Sequence, residues 1–290
     1  MMLMRKPLFV KILIENLRSL KFDLVIQVSK LSFSSNKCFG CGYHGEFKTQ
    51  SVLSQALVTE WELDNEYEHF FSQREGTCCR HCGCSLRASS LAVGVSKVLA
   101  DLYGVTGDCL HTIVRKLRNS IHSSVTIAEI NSAGSLHQFL RNVPSVIYTE
   151  YGSTTIDVRS EDIQRMTFGD SSIDMVVTSE VLEHVPDTGA ALTEIHRVLV
   201  PKGFHVFTVP IHPQRSSSKC RALIKDNQLV HLYAPSYHGL PGNRKDDYLV
   251  FHEFGNDIYD LILASGFVLE RVMLPNCSNP TVFCLVTRKA

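Results

Sequence analysis

From residue 124 onward, short β-branched runs alternate with amphipathic stretches, and this alternation constrains the fold more than any other feature. A chain that repeats strand and helix in this way builds a parallel sheet with helices wound over its faces. Ser124–Ile130 reads as the first strand, followed by Gly134 and a helical run Leu136–Leu140. Ser145–Thr149 reads as the second, ending in Glu150, and Thr154–Arg159 as the third. Ile173–Ser179 is almost continuously apolar, which places it at the centre of the sheet with both faces buried. Ala190–Leu199 reads as a helix stopped by Pro201-Lys-Gly203, and Phe204–Val209 as a fifth strand. A helix over Asp257–Ala264, closed by Gly266, precedes a final strand pair, Phe267–Leu274 and Thr281–Thr287. The fold class is therefore α/β, a doubly wound Rossmann-like sheet over residues 123–290.

The cysteines point to a second, smaller unit. Six of the ten lie between Cys38 and Cys84, in Cys38-Phe-Gly-Cys41 and in Cys78-Cys79-Arg-His-Cys82-Gly-Cys84. Cys38/Cys41 and Cys79/Cys82 are each C-x2-C, and two such turns can bring four thiolates to the corners of a tetrahedron, the geometry of a closed structural zinc site. Gly40, Gly42 and Gly83 supply permissive backbone for tight knuckles. Cys78, Cys84, His44 or His81 could replace one of the four, and redox dithiols or unliganded thiols are the other readings. With four protein ligands no position is left for water or substrate, so the metal would staple a module with little core of its own. The 37 residues between the pairs exceed the loop of a compact zinc ribbon and imply extra structure there.

The expected organisation is an N-terminal helical segment at 1–30, a zinc-ribbon-like module at 31–90, a helical connector at 91–122 and the α/β domain at 123–290. In the first segment Phe9, Leu13, Leu17 and Leu20 keep roughly helical spacing. Lys11 and Glu15 interrupt the apolar stretch, which is too short to cross a bilayer and has no signal-peptide cleavage site, so a cytoplasmic protein is expected. In the connector Leu91, Val95, Val98 and Leu102 are helically spaced, as are Ile113, Leu117 and Ile121, although Gly94 interrupts the first run. Lys plus Arg and Asp plus Glu both number 29, and the zero formal charge excludes a strong field toward nucleic acid or anionic lipid.

The run Asp162-Ile-Gln-Arg-Met-Thr-Phe-Gly-Asp-Ser-Ser-Ile-Asp174-Met-Val-Val-Thr-Ser-Glu180-Val-Leu-Glu183-His184-Val185-Pro186 resembles the central block of class I S-adenosylmethionine-dependent methyltransferases of the type 11 kind. Glu194-Ile-His-Arg-Val-Leu-Val-Pro-Lys-Gly-Phe-His-Val-Phe-Thr-Val-Pro continues the resemblance, which covers roughly 124–290 and is most specific over 157–210. Cysteine-rich segments also precede some methyltransferases of this broad kind.

The resemblance implies S-adenosylmethionine as cofactor and a methyl acceptor that is a small molecule or saccharide. In an open α/β sheet the ligand lies beyond the carboxyl ends of the strands, near the reversal of strand order. Glu150 is then placed to accept from both ribose hydroxyls, with a solvent-exposed strand end as the alternative. Asp162 is placed for the adenine amino group and Ile163 for the ring, with a turn or N-cap aspartate as the alternative. Ser179 and Glu180 leave the fourth strand at the methyl-donor edge. His184 is the catalytic candidate, as a base or orienting group, against a structural histidine.

One stretch departs from the family's pattern. Where a Gly-x-Gly loop is usual after the first strand, this chain has Glu129-Ile-Asn-Ser-Ala-Gly134-Ser. Glu129 and Gly134 sit at cofactor-binding positions, and a Cβ at a position requiring positive φ would cost of order 1 kcal/mol. Residues 211–256 are long, polar and rich in His and Tyr, including His212, His231, Tyr233, Tyr237, His238 and His252, and read as a substrate lid. Arg215, Lys219, Arg221 and Lys225 among them read as a solvated basic face. Beside the leading function stand an inactive methyltransferase-like scaffold and a zinc-ribbon RNA methyltransferase. The neutral charge and the lack of a basic, aromatic-rich stripe argue against the last.

Overall fold

The computed structural model describes residues 37–118, 125–237 and 248–290. The helix expected within residues 1–30, together with Ile121, Ser124 and His238, lies outside these. The cysteine module is a two-stranded antiparallel ribbon, β1 (Phe47–Thr49) on β2 (Thr77–Cys79), with Phe47 opposite Cys79. The chain between them carries two helices, α1 (Gln55–Glu60) and α2 (Asn65–Gly76). Their starts are fixed by Ser54 and Asp64, whose side chains accept from the amides of Leu57 and Tyr67.

Ser85 caps α3 (Leu86–Tyr103), which ends on Gly104 in the left-handed region, and α4 (Leu110–Arg118) follows. Beyond it come β3 (Ile127–Ile130), a 3-10 turn into α5 (His137–Leu140), β4 (Val146–Glu150), β5 (Arg159–Ser160) and β6 (Ile173–Ser179). The chain then forms α6 (Thr188–Val198), β7 (Leu199–Thr208), β8 (Lys219–Cys220), β9 (Ala222–Lys225), β10 (Gln228–His231) and β11 (His252–Glu253). It closes with α7 (Ile258–Ala264), β12 (Phe267–Met273) and β13 (Phe283–Lys289).

Seven of these strands form one sheet in the order β12-β13-β7-β6-β3-β4-β5. The pairs from β5 to β7 are parallel, while β13 is antiparallel to both β7 and β12. Strand order reverses between β3 and β6, which opens the crevice at their carboxyl ends. β6 is central and buried on both faces, as its almost continuously apolar run requires. Met175 and Val177 join the core under α3 and α4, and Ile173 and Val176 join the core under α6 and α7.

Two expectations need correction. The 91–122 segment is not a connector: α3 begins at Leu86 and lies directly on the sheet. A Cβ at Gly94 would stand 2.5 Å from the Cys284 sulfur and 3.0 Å from Val206, so glycine marks the closest approach of helix to strands. The third strand is only Arg159–Ser160, paired with Thr149 and Glu150. Residues 154–158 have strand-like composition, yet Ile156 is fully exposed and the Val158 amide turns back to the Thr155 carbonyl.

Within 211–256, β9 and β10 form a hairpin whose turn residues Asp226 and Asn227 both have positive φ, as a two-residue turn matched to strand twist demands. No described helix is long and apolar enough to cross a membrane.

Candidate functional site

The ligand atoms of Cys38, Cys41, Cys79 and Cys82 all lie within 4.8 Å of one another. The Cys38 and Cys82 sulfurs are 3.5 Å apart and those of Cys41 and Cys79 3.7 Å apart. Four sulfurs held about 2.3 Å from a central ion would be separated by about 3.8 Å, so the set fits a tetrahedral zinc. Each pair forms a knuckle: Gly42 donates to the Cys38 carbonyl and Gly83 to that of Cys79, both glycines having positive φ. Of the alternatives, the Cys78 sulfur faces the Glu75 carbonyl and His81 stacks on Tyr43, whereas the Cys84 thiol lies against those of Cys38 and Cys82 as a fifth thiol beside the set.

At the crevice, Glu150 ends β4 with an exposed side chain, its Oε1 accepting from the Tyr148 hydroxyl. Asp162 Oδ1 accepts from the Gln164 amide at 2.9 Å and its side chain at 3.2 Å, and Ile163 beside it is buried. Gly134 has φ +60, and a Cβ added there would meet nothing within 4 Å. That open, side-chain-free backbone suits close approach by a ligand. The strain foreseen for Ser132 and Ala133 does not arise, since neither has positive φ; the left-handed positions are Gly134 and Asn131, a residue that tolerates them.

Glu129 is hydrogen-bonded to its own loop. Oε1 accepts from the Ala133 amide at 2.9 Å and Oε2 lies 2.8 Å from His137 Nδ1, in a fully buried position. Burial pushes its carboxyl up against the pull of these two partners. Glu129 thus fastens the loop from within, and neither oxygen faces an incoming ammonium unshared.

Ser179 and Glu180 are held by arginines that the sequence reading missed. Arg74 Nη1 donates to Glu180 Oε2 at 3.0 Å and Nη2 to Oε1 at 2.8 Å. Arg87 donates to the Ser179 hydroxyl and, through Nε, to both Glu75 oxygens at 3.0 and 2.9 Å. Burial alone would raise the Glu180 carboxyl, but Arg74 and Arg87 hold it down at about 2. Glu180 also has φ +52, a left-handed conformation kept at the strand end by this network. The α2 helix and the start of α3 therefore close over the carboxyl end of β6.

His184 is largely buried and its proton affinity is lowered by that burial. Its Nδ1 is 3.0 Å from the Leu249 carbonyl, an acceptor only, so Nδ1 carries the proton and Nε2 does not. Nε2 lies 3.8 Å from Glu183. Glu183 is fully buried, no protein donor reaches either carboxylate oxygen, and burial followed by the charge of Glu180 pushes its carboxyl well up.

Glu183 lines a cavity of about 50 Å³ together with Trp61, Tyr67, Phe71, His212 and Arg215. The Tyr67 hydroxyl donates to the Ile211 carbonyl, and its ring lies 4.3 Å from that of His212. Of the basic cluster, Lys225 is exposed but the two arginines do not form a solvated face. Arg221 is buried, donating to Glu253 and to Glu60, and Arg215 donates to Glu253 and to the Trp61 carbonyl. A wider cleft of about 680 Å³ opens between Pro186–Gly189 and Asp257–Leu261 and shares His252 and Phe254 with the small cavity.

A family model described as a methyltransferase domain matches residues 115–207. Among curated proteins no sequence matches the chain. Among solved structures, the chain is similar to an S-adenosylmethionine-dependent methyltransferase from Mesorhizobium loti. That pair is 15% identical, with 60% of this chain and 96% of the other covered and a TM-score of 0.37. It is also similar to an amino pentose methyltransferase from Micromonospora echinaspora, at 13% identity, 68% and 94% coverage and a TM-score of 0.39. A third is 1,6-didemethyltoxoflavin-N1-methyltransferase from Burkholderia thailandensis, at 16% identity, 71% and 88% coverage and a TM-score of 0.36. The family match lies on β3, β4, β6 and β7 and the crevice they form.

Proposed function

We propose that the chain is an S-adenosylmethionine-dependent methyltransferase acting on a small-molecule or saccharide-type acceptor. The observation that carries this reading is the row formed by Gly134, Glu150 and Asp162-Ile163 along the carboxyl ends of β3, β4 and β5. It offers open backbone, then an exposed carboxylate, then a carboxylate beside an apolar residue, in the order that an amino-acid tail, a ribose and an adenine would need. S-adenosylmethionine brings an already activated methyl group, so the protein's work is alignment and exclusion of water. Glu150 accepts from the ribose hydroxyls, Asp162 orients the base against Ile163, and Gly134 lets the backbone approach. Glu129 acts one layer back by fixing the loop through the Ala133 amide and His137. Zinc on Cys38, Cys41, Cys79 and Cys82 has a structural role, holding the ribbon that carries α2 over the site.

A second reading is favoured by one feature: Arg74 and Arg87 already engage Glu180 and Ser179, as they would in a scaffold that has kept the fold and lost the cofactor. Calorimetric titration of zinc-loaded protein with S-adenosylmethionine separates the two. The enzyme reading expects saturable binding that Glu150→Ala weakens ten-fold or more. No binding to the folded wild type would leave the scaffold.

A further inference from the structure

Glu183 is a buried carboxyl group with both oxygens unmet by any protein donor, and it faces a cavity rather than packed core. Burying such a group without a partner is costly, so a position that keeps it calls for a ligand that satisfies it. The rest of the wall narrows the ligand's chemistry. Trp61 and Phe71 meet edge to face at 6.0 Å and Tyr67 lies 5.9 Å from Phe71, which gives one side of the cavity aromatic faces of negative potential.

We propose that this cavity receives the reacting end of the methyl acceptor, and that the reacting group is an amine held by Glu183 among Trp61, Tyr67 and Phe71. The inference rests on the methyltransferase reading and adds the acceptor's class to it. At about 50 Å³ the cavity is far smaller than the roughly 150 Å³ that accommodates benzene. It therefore takes an amino group with one or two carbons, and the body of the acceptor stays outside.

Charge decides between an amine and other acceptors. Glu183 and the neighbouring Glu180 repel a carboxylate or phosphate. A hydroxyl brings one donor for two open oxygens, whereas an ammonium brings three and a charge that the rings attract. The cations already present are committed. Arg74 is paired to Glu180 and Glu75 and lies 5.6 Å from the Phe71 ring, and Arg87 is paired to Glu75. Arg215 is paired to Glu253. His184 beside Glu183, and His212 and His252 on the cavity wall, are all pushed down by burial, which favours their neutral forms. Tyr67 keeps its proton, since burial raises it.

The chemistry then balances without any further group. An ammonium is not a nucleophile until it sheds a proton. In the cavity one N–H bond breaks and an O–H bond forms on the Glu183 carboxyl, whose appetite for a proton burial has raised. The electron pair stays on nitrogen, where methyl transfer requires it.

Trp61 is the chain's single tryptophan, so its emission reports this cavity alone. The test is titration of zinc-loaded full-length protein, without cofactor, with methylammonium chloride, and in parallel with methanol and with sodium chloride at matched ionic strength. The expected result is a saturable change with methylammonium only, weakened at least ten-fold by Glu183→Gln. Phe71→Leu, which keeps the carboxyl, should weaken binding several-fold and covers the case in which Glu183→Gln fails to fold. Equal responses to methanol and methylammonium, no saturable response, or an unchanged affinity in either folded variant would overturn the proposal. Amine binding lost while S-adenosylmethionine still binds would overturn the acceptor class alone. Amine binding kept while S-adenosylmethionine fails to bind would overturn the methyltransferase reading, and with it the amine's role as acceptor.

Discussion

Arg74 and Glu180 meet through two parallel hydrogen bonds, at 3.0 and 2.8 Å, across 106 positions of sequence. The pair joins α2 of the cysteine module to the end of the central strand. Breaking a buried ion pair from one side strands the other charge, at about 3–5 kcal/mol. Arg74→Met should lower the urea midpoint accordingly, and Arg74→Met combined with Glu180→Gln should recover much of the loss. The sign with pH follows from a depressed carboxyl. The stability that Glu180 contributes is complete above its unfolded value near 4.5 and is lost as pH falls through about 2. Additive losses in the double variant would show that the two side chains do not interact.

Metal removal should act at a distance. Purified protein is expected to carry one zinc per chain by metal analysis. Cys41→Ala or chelation should release it, detach the β1–β2 ribbon and α2, and shift the Trp61 emission toward that of exposed indole. A metal-free chain with unchanged Trp61 emission and unchanged stability would contradict a stapling role.

Buried histidines set a second pH window. His205 is fully buried, with Nε2 2.9 Å from the Thr178 hydroxyl and its ring stacked on Phe207, and burial pushes it down to about 3. The unfolded chain takes up this proton near 6.5, so the contribution is complete above 6.5 and declines as pH falls toward 3, by up to about 1.4 kcal/mol per pH unit. His184, His212 and His252 are shifted in the same direction by burial. Urea midpoints should fall from pH 7 to pH 5, and His205→Leu should flatten that slope even though it costs stability at pH 7. An unchanged slope would place the acid sensitivity elsewhere.

Gly94 sits in the middle of α3, where alanine would ordinarily gain about 1 kcal/mol. Here the new Cβ would come 2.5 Å from the Cys284 sulfur and 3.0 Å from Val206, both in the sheet core and unable to yield outward. Gly94→Ala should therefore destabilise, by about 1–3 kcal/mol, as measured by thermal unfolding. A stabilised variant would show that α3 can lift from the sheet at no cost.

How much was legible in the sequence depends on how local each cause is. β6 is legible to the residue because a nearly continuous apolar run can satisfy itself only in the middle of a sheet. The four cysteines were legible because C-x2-C fixes each half of the site within one turn. Thr154–Arg159 was misread because β-branched composition says nothing about a missing partner strand. Gly94 looked like a helix defect until the strands beneath it were in place. Arg74, Arg87 and Glu183 owe their roles to contacts between segments far apart in sequence, and no periodicity marks them. The basic run around Arg221 read as surface because its partners, Glu60 and Glu253, lie on other elements.

The most direct test of the central claim is a crystal structure of the zinc-loaded chain with S-adenosylhomocysteine. The account predicts the ribose hydroxyls on Glu150, the adenine against Ile163 with its amino group toward Asp162, and the amino-acid end over Gly134. A nucleoside lodged instead in the cleft between Pro186–Gly189 and Asp257–Leu261, or no bound nucleoside in a crystal of the folded chain, would contradict it.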